Sequence, residues 1–172
     1  MMMSLDGLME GPNRELDWHN TDDEFARFVK EMEKTTGSMI FGRVTYEMMA
    51  QYWPSSTEPE AAMMNELPKL VFSKTLKRVD WNNSRLATGN VAEEIATLKK
   101  QPGKDIALIG SSNLASTFIR LGLIDEYRIF VNPVVLGRGG PMFKDVKEKL
   151  NLKLTKAQPF KSGNVLLFYR PA

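Results

Sequence analysis

DIALIGSSNLASTFIRLGLIDEYRIFVNPVVLG, residues 105–137, carries the pattern on which the fold reading turns. Ile106 to Ile109 is a short apolar run of strand type. Leu114, Phe118 and Leu121 then recur at helical spacing until Gly122 stops them, and Tyr127 to Val131 is apolar strand again. Strand, helix and strand in that order predict a βαβ unit, with a right-handed crossover joining two parallel strands. Its strand-to-helix turn, Gly110-Ser111-Ser112, presents backbone N–H groups at the positive end of a helix.

The same change of period occurs at MIFGRVTYEMM, residues 39–49. Met39, Ile40 and Phe41 suit a buried strand, while Tyr46, Met49, Ala50 and Trp53 follow at helical spacing, with the switch at Gly42-Arg43. A helix is expected over 45–52, then a loop through Pro54-Ser55-Ser56-Thr57-Glu58-Pro59 and a short helix over 60–67. Leu70-Val71-Phe72 is the next strand, ending in Ser73-Lys74-Thr75. Thr21-Asp22-Asp23-Glu24 and Asn90-Val91-Ala92-Glu93 have the form of capping boxes. The first precedes Phe25, Phe28, Val29 and Met32 and predicts a helix over 22–34, and the second precedes Val91, Ile95 and Leu98. Leu150, Leu152 and Leu154 alternate, and Val165 to Tyr169 is a last strand, which predicts a C-terminal antiparallel hairpin. The expected class is α/β, a mixed and mostly parallel central sheet flanked by helices with that hairpin added. No repeat or linker divides the chain, so one domain over 1–172 is expected.

Composition narrows the chemistry. A chain of 172 residues buries about two thirds of the surface its unfolded form exposes, enough for one core. With 23 basic against 21 acidic residues, the net charge of +2 supplies no extended field for nucleic acid or an anionic membrane. Zero cysteines exclude a thiol nucleophile, an iron–sulfur cluster and a zinc–thiolate site, and a single histidine, His19, cannot form a multi-histidine metal centre. No metal is expected, and His19 fits a loop or pocket rim better than a general base, which needs an oriented partner. No 18-residue apolar run or signal-peptide pattern is present, so a cytoplasmic protein is expected. Carboxylates, hydroxyls or an organic cofactor remain, and hydride transfer suits that inventory because the cofactor carries the reaction.

Gly42-Arg43 and Gly110-Ser111-Ser112 are two turns of one kind, each suited to an anion, and two phosphate cradles suit a dinucleotide. Ser73 and Lys74 at a third strand end, with Arg43, suit a ribose phosphate.

Together with Ser4-Leu5-Asp6-Gly7, Phe41-Gly42-Arg43-Val44-Thr45-Tyr46-Glu47, Leu70-Val71-Phe72-Ser73, Ile109-Gly110-Ser111-Ser112 and Val134-Val135-Leu136-Gly137-Arg138-Gly139-Gly140-Pro141-Met142-Phe143, the chain resembles the dihydrofolate reductase-like fold. Within it, the resemblance is to the reductase domain of riboflavin-biosynthesis enzymes and its small stand-alone relatives. It covers nearly the whole chain. It implies an NADPH-dependent reductase acting on a planar heterocycle, a pteridine or an aminopyrimidine ribosyl compound, and a homodimer. It assigns Gly42, Arg43, Val44, Thr45, Ser73 and Lys74 to the adenosine phosphates, and Gly110, Ser111, Ser112, Asn113 and Leu114 to the pyrophosphate and nicotinamide ribose. Relatives carry a longer first strand, whereas Met1, Met2 and Met3 alone precede Ser4 here, as if the chain were truncated or started late.

On the substrate side, Asp6 and Glu24 are the candidate acidic residues at the reacting ring. Each has a second reading, Asp6 as a turn residue before Gly7 and Glu24 as the last position of the Thr21 box. Ser4, Leu5, Trp18, Phe25, Phe28, Tyr46 and Trp53 are candidate pocket residues, with Phe28 and Tyr46 also read as core and Trp18 and Trp53 as rim. A second class stays open beside the reductase: a catalytically silent nucleotide-binding or regulatory module on the same fold.

Overall fold

A computed structural model describes residues 1–172. In chain order the elements are β1 (Met2–Met3), β2 (Leu8–Glu10), α1 (Asp23–Thr35), β3 (Thr36–Gly42) and α2 (Arg43–Tyr52). A 3-10 turn at Trp53–Ser55 leads to α3 (Ala61–Glu66), β4 (Lys69–Phe72), β5 (Ser84–Leu86), α4 (Val91–Lys99), β6 (Asp105–Gly110) and α5 (Ser112–Arg120). The chain closes with β7 (Tyr127–Val131), β8 (Gly140–Pro141), β9 (Leu152–Pro159) and β10 (Val165–Pro171). No helix is long and apolar enough to cross a membrane. The chain divides into two compact units, Phe28–Ala115 and the pair of segments Met1–Arg27 and Ser116–Ala172.

The Phe28–Ala115 unit is built on a fully parallel sheet of order β5-β4-β3-β6. Its central strand β3 has neighbours on both sides, and Met39, Ile40 and Phe41 are buried, which is why the sequence shows a continuous apolar run there and no alternation. Phe41, Met39, Val71, Tyr46, Met64 and Trp81 form one core cluster. α2 turns Tyr46 into that cluster, where its hydroxyl accepts the Trp81 backbone N–H at 3.0 Å. Lys69 is buried in the same region. Its ammonium donates to the carbonyls of Asn65, Leu67 and Asn82 at 3.0, 2.7 and 3.0 Å and lies 4.5 Å from the Trp81 ring centroid. Burial lowers its pKa to about 8, while the three carbonyls and the ring favour the cation. Asn90 caps α4 as expected, its side chain accepting the Glu93 N–H at 3.0 Å.

The other unit holds a mixed sheet of order β1-β7-β10-β9, with β1 parallel to β7 and the β9–β10 hairpin antiparallel, and a small β2–β8 ladder. Tyr127, Ile129 and Met142 anchor its core, with Met1, Met3, Met9, Ile119 and Tyr169 against them. The hairpin is the one the sequence predicts, although Leu150 lies before it.

Two expectations are corrected. β6 and β7 are not partners in one ladder: β6 pairs with β3, and β7 with β1 and β10. Apolar periodicity finds strands but cannot see which distant strand takes the neighbouring place. The cap of α1 is Asp22, whose Oδ1 accepts the Phe25 N–H at 2.8 Å, rather than Thr21. Thr21, Asp22 and Asp23 are all capping types, and the choice among them depends on contacts outside the helix.

Candidate functional site: three strand ends in the parallel sheet

Parallel pairing places three of the expected turns at one end of one sheet. Phe41 is in register with Gly110 and Gly42 with Phe72, so Gly42-Arg43, Gly110-Ser111 and Ser73-Lys74 all follow the carboxyl ends of adjacent strands β3, β6 and β4. Ligands of open α/β sheets bind at such ends.

The first two turns touch. A Cβ built on Gly42 would lie 3.0 Å from Ser111 Oγ and 3.4 Å from Ser111 N, and one on Gly110 would lie 3.0 Å from Thr45 Oγ1. Gly110 also has φ +155°, and the Gly110–Ser111 peptide is cis. The glycines therefore let two helix starts, those of α2 and α5, stand side by side with the hydroxyls of Thr45 and Ser111 between them. Gly42 caps α2 with no side-chain oxygen, so no side chain takes up the leading N–H groups of that helix. Arg43 is the first residue of α2 and donates from Nη1 to Glu47 Oε2 at 2.8 Å. Val44, partly exposed, has only backbone polar groups to offer, and Leu114 is buried. Ser112 and Asn113 open α5, and Ala115 N–H already bonds Ser111 O at 2.9 Å. Ser73 Oγ accepts the N–H groups of Thr75 and Leu76 at 3.1 and 2.9 Å, which folds the turn after β4 and leaves its O–H to donate, while Lys74 is exposed. Paired helix starts, two hydroxyls and an arginine fit the phosphates of a dinucleotide: Gly42 to Thr45 and Ser73 would hold one end and Gly110 to Asn113 the other.

The candidate substrate residues have other employment. Ser4 is fully buried; its hydroxyl donates to Asp6 Oδ1 at 2.6 Å and accepts Leu8 N–H at 3.0 Å, so it braces a turn rather than lining a surface. Asp6 accepts the N–H groups of Leu136 and Gly137 at 3.2 and 2.8 Å as well. The Ser4 hydroxyl first, then these backbone donors, hold its carboxyl down to about 2, so it is ionised at neutral pH. The turn reading of Asp6 thus has a geometric basis, and the lock it forms joins the Ser-Leu-Asp-Gly motif to Leu136-Gly137. Leu5 and Val135 project from these two loops into solvent. Glu24 Oε2 accepts Lys161 N–H at 2.6 Å, so it grips the β9–β10 loop and does not close the Thr21 capping box.

Trp18 donates its indole N–H to Glu15 O at 3.0 Å and stands edge-on to His19, whose pKa is lowered by burial and then by the N-terminal amine. Phe25 packs edge-on against Phe130. In the other unit Phe28 is half-buried, Trp53 packs against the core cluster and donates to Met49 Sδ at 3.0 Å, and Tyr46 is buried in that cluster, in keeping with its reading as core. Lys69 and Trp81 escaped the sequence reading. The only signal available was a lysine opening a buried strand, and a tryptophan amid polar residues gave no period to follow.

A parallel sheet with glycine turns at its strand ends is of the open α/β class, whose ligands bind at such ends. Residues 1–166 match the RibD C-terminal domain, and the chain belongs to that family. The uncharacterized protein YyaP of Bacillus subtilis (strain 168) is 38% identical over 176 residues, which span 98% of this chain and 91% of YyaP. A putative riboflavin biosynthesis protein from Shewanella sp. PV-4 superposes with a TM-score of 0.80 at 23% identity, covering 100% of this chain and 96% of that one. Dihydrofolate reductase from Enterococcus faecalis, complexed with NADP(H), superposes with a TM-score of 0.67 at 15% identity, covering 99% of this chain and 92% of that one. The fold is dihydrofolate reductase-like, in the form of the RibD C-terminal domain.

Proposed function

We propose that the protein is an NADPH-dependent reductase of a planar heterocycle, a pteridine or an aminopyrimidine of the 5-amino-6-(5-phosphoribosylamino)uracil type, working in the cytoplasm as a homodimer without nucleic acid or membrane partners. The observation that carries this reading is the contact between the Gly42 and Gly110 turns, two anion-suited helix starts in one parallel sheet of a RibD-family chain. When bound, the nicotinamide supplies the hydride. Arg43, Thr45 and Ser73 hold the adenosine phosphates, and Gly110 to Leu114 hold the pyrophosphate and the nicotinamide ribose. Leu5, Asp6, Trp18, Glu24 and Phe25 supply the substrate side, with Ser4 bracing Asp6 from beneath, and the Asp6 and Glu24 carboxyl groups orient an amino-substituted ring. Asp6, ionised at neutral pH, has no proton to give and serves to orient the ring.

One observation favours a second reading. The candidate acids already carry protein hydrogen bonds, which a catalytically silent nucleotide-binding module would also show. Following NADPH absorbance in the presence of a panel of pteridines and aminopyrimidines decides between them. Substrate-dependent oxidation is expected; NADPH binding with no oxidation across the panel supports the silent module, and no NADPH binding overturns both. Sedimentation at micromolar concentration should show a dimer, and a monomer alone removes the homodimer.

A further inference from the structure

Arg43 opens α2 and Glu47 stands one turn later, 2.8 Å from it. Helix electrostatics favours the reverse order, an acid at the amino end and a base after it, because the leading N–H groups carry partial positive charge. With side chains 44% and 41% exposed, the pair also contributes little to folding. Helix stability therefore does not account for this pair. Its effect is to hold a carboxylate against the cation that the proposed function assigns to the adenosine phosphates, of which the ribose 2′-phosphate is the one that distinguishes NADPH from NADH.

In nicotinamide sites these two groups serve opposite ends. A carboxylate accepts a hydrogen bond from the ribose 2′-hydroxyl of NADH, whereas an arginine accommodates the 2′-phosphate of NADPH. Here both stand on one helical turn. We infer that Glu47 is a specificity-determining residue: it weakens the hold on the 2′-phosphate and supports the free 2′-hydroxyl, so that the preference for NADPH is narrower than Arg43 alone would set. The inference rests on the reductase reading of this site.

The geometry indicates how this works. The guanidinium has five N–H donors in a planar fork, and Glu47 engages Nη1. The remaining donors can meet a phosphate while the carboxylate stays in place. A dianion arriving there lies within a few ångströms of that carboxylate, at the partly exposed surface where like charges still repel by an amount worth several-fold in affinity. Moving the carboxylate away relieves the repulsion but breaks the ion pair, so either route costs affinity for the phosphorylated cofactor. A ribose hydroxyl meets neither obstacle.

The test is calorimetric titration of NADPH and NADH into the intact protein and into Glu47→Gln, with Glu47→Ala as a second variant and unliganded melting curves as the control for folding. Glu47→Gln keeps the size and removes the charge. It should tighten NADPH by about three- to tenfold and weaken NADH by about twofold, widening the ratio of the two affinities by about tenfold. Glu47→Ala should shift NADPH in the same direction. An unchanged ratio in both variants overturns the inference, and so does weaker NADPH binding in both, which would make Glu47 a residue that positions Arg43. If the intact protein binds NADPH in an Arg43-dependent way and the ratio does not move, this inference alone falls. If it binds neither dinucleotide, the reductase reading falls and takes the inference with it.

Discussion

The turns of the parallel unit and the turns of the mixed unit carry residues of equal chemical promise, yet they use them differently. Around Gly42 and Gly110 the polar groups come together without a side-chain cap for α2, and the nearest neighbours are each other's hydroxyls. Around Ser4 and Asp6 each side-chain oxygen has a protein partner, and at Asn20 the backbone N–H donates to Asn132 Oδ1 at 2.9 Å and the side-chain amide N–H to Ser162 O at 2.8 Å. A motif residue is a candidate ligand contact to the extent that its hydrogen-bonding capacity is unspent. Residue type by itself does not distinguish a lock from a site.

The largest expected effect concerns a lock in the parallel unit. Lys69→Met removes the donor shared by three backbone carbonyls while keeping the chain's bulk, and leaves the partly buried carbonyls without it, which should cost about 3 kcal/mol or more. The urea midpoint measures this. A loss under about 1 kcal/mol would mean that water replaces the ammonium and that the unit does not depend on it. Next comes the cradle. Gly42→Val drives a branched side chain into Ser111 and should weaken NADPH about a hundredfold, with the circular dichroism of the fold retained. Normal binding in this variant would show that the two turns need not touch to hold a ligand.

Arg43→Ala should erase most of the preference for NADPH over NADH, a charge-assisted contact worth about 1.5 to 3 kcal/mol, or roughly ten- to a hundredfold. Equal thermal shifts by the two dinucleotides in the unmodified protein would remove the 2′-phosphate assignment and leave the cradle. The smallest effect on cofactor binding sharpens the contrast from the other side. Asp6→Asn should lower the melting temperature and leave the NADPH dissociation constant within about twofold. Turnover should fall by about a hundredfold as well, since Asp6 is proposed to orient the ring; unchanged turnover at a lowered melting temperature would leave Asp6 a lock alone.

Acid should act on one lock in each unit. Asp6 and Glu94 both have pKa values held down to about 2, Asp6 by Ser4 and Gly137, Glu94 by Arg85 and the N–H groups of Thr88 and Gly89. A depressed carboxylate contributes stability that is fully present above its unfolded pKa and is lost as the pH falls through the folded value. Urea midpoints should therefore decline between about pH 4.5 and 2, and Asp6→Asn and Glu94→Gln should each flatten part of that decline. Undiminished slopes in both variants would show that other carboxylates govern acid unfolding.

The parallel unit was the more legible in sequence. Strands buried on both faces leave uninterrupted apolar runs, and a glycine between such a run and a helical period marks where the chain turns toward a ligand, so β3, β4, β6 and α2 could be placed with their turns. Pairing was not legible, because nothing local in residues 127–131 records that Met2 and Met3 will lie beside them. Nor was the Asp6 lock: its partners stand 130 and 131 residues away, and an Asp before a Gly has the same local signature whether it binds a substrate or a loop. Lys69 reverses the usual expectation for a charged residue, and the convergence of two carbonyls at the end of α3, that of Asn82 and the Trp81 ring explains its burial.

The way the two units divide the chain has a consequence for biosynthesis. Phe28–Ala115 is contiguous, and its sheet can close as soon as β6 has been made. The other unit joins Met1–Arg27 to Ser116–Ala172, and Met2 meets Phe130 only after the whole of Phe28–Ala115 has been translated. The parallel sheet can therefore assemble on the ribosome while β1 waits without a partner, and the Ser4-Asp6 turn, though synthesised before that sheet, is secured after it.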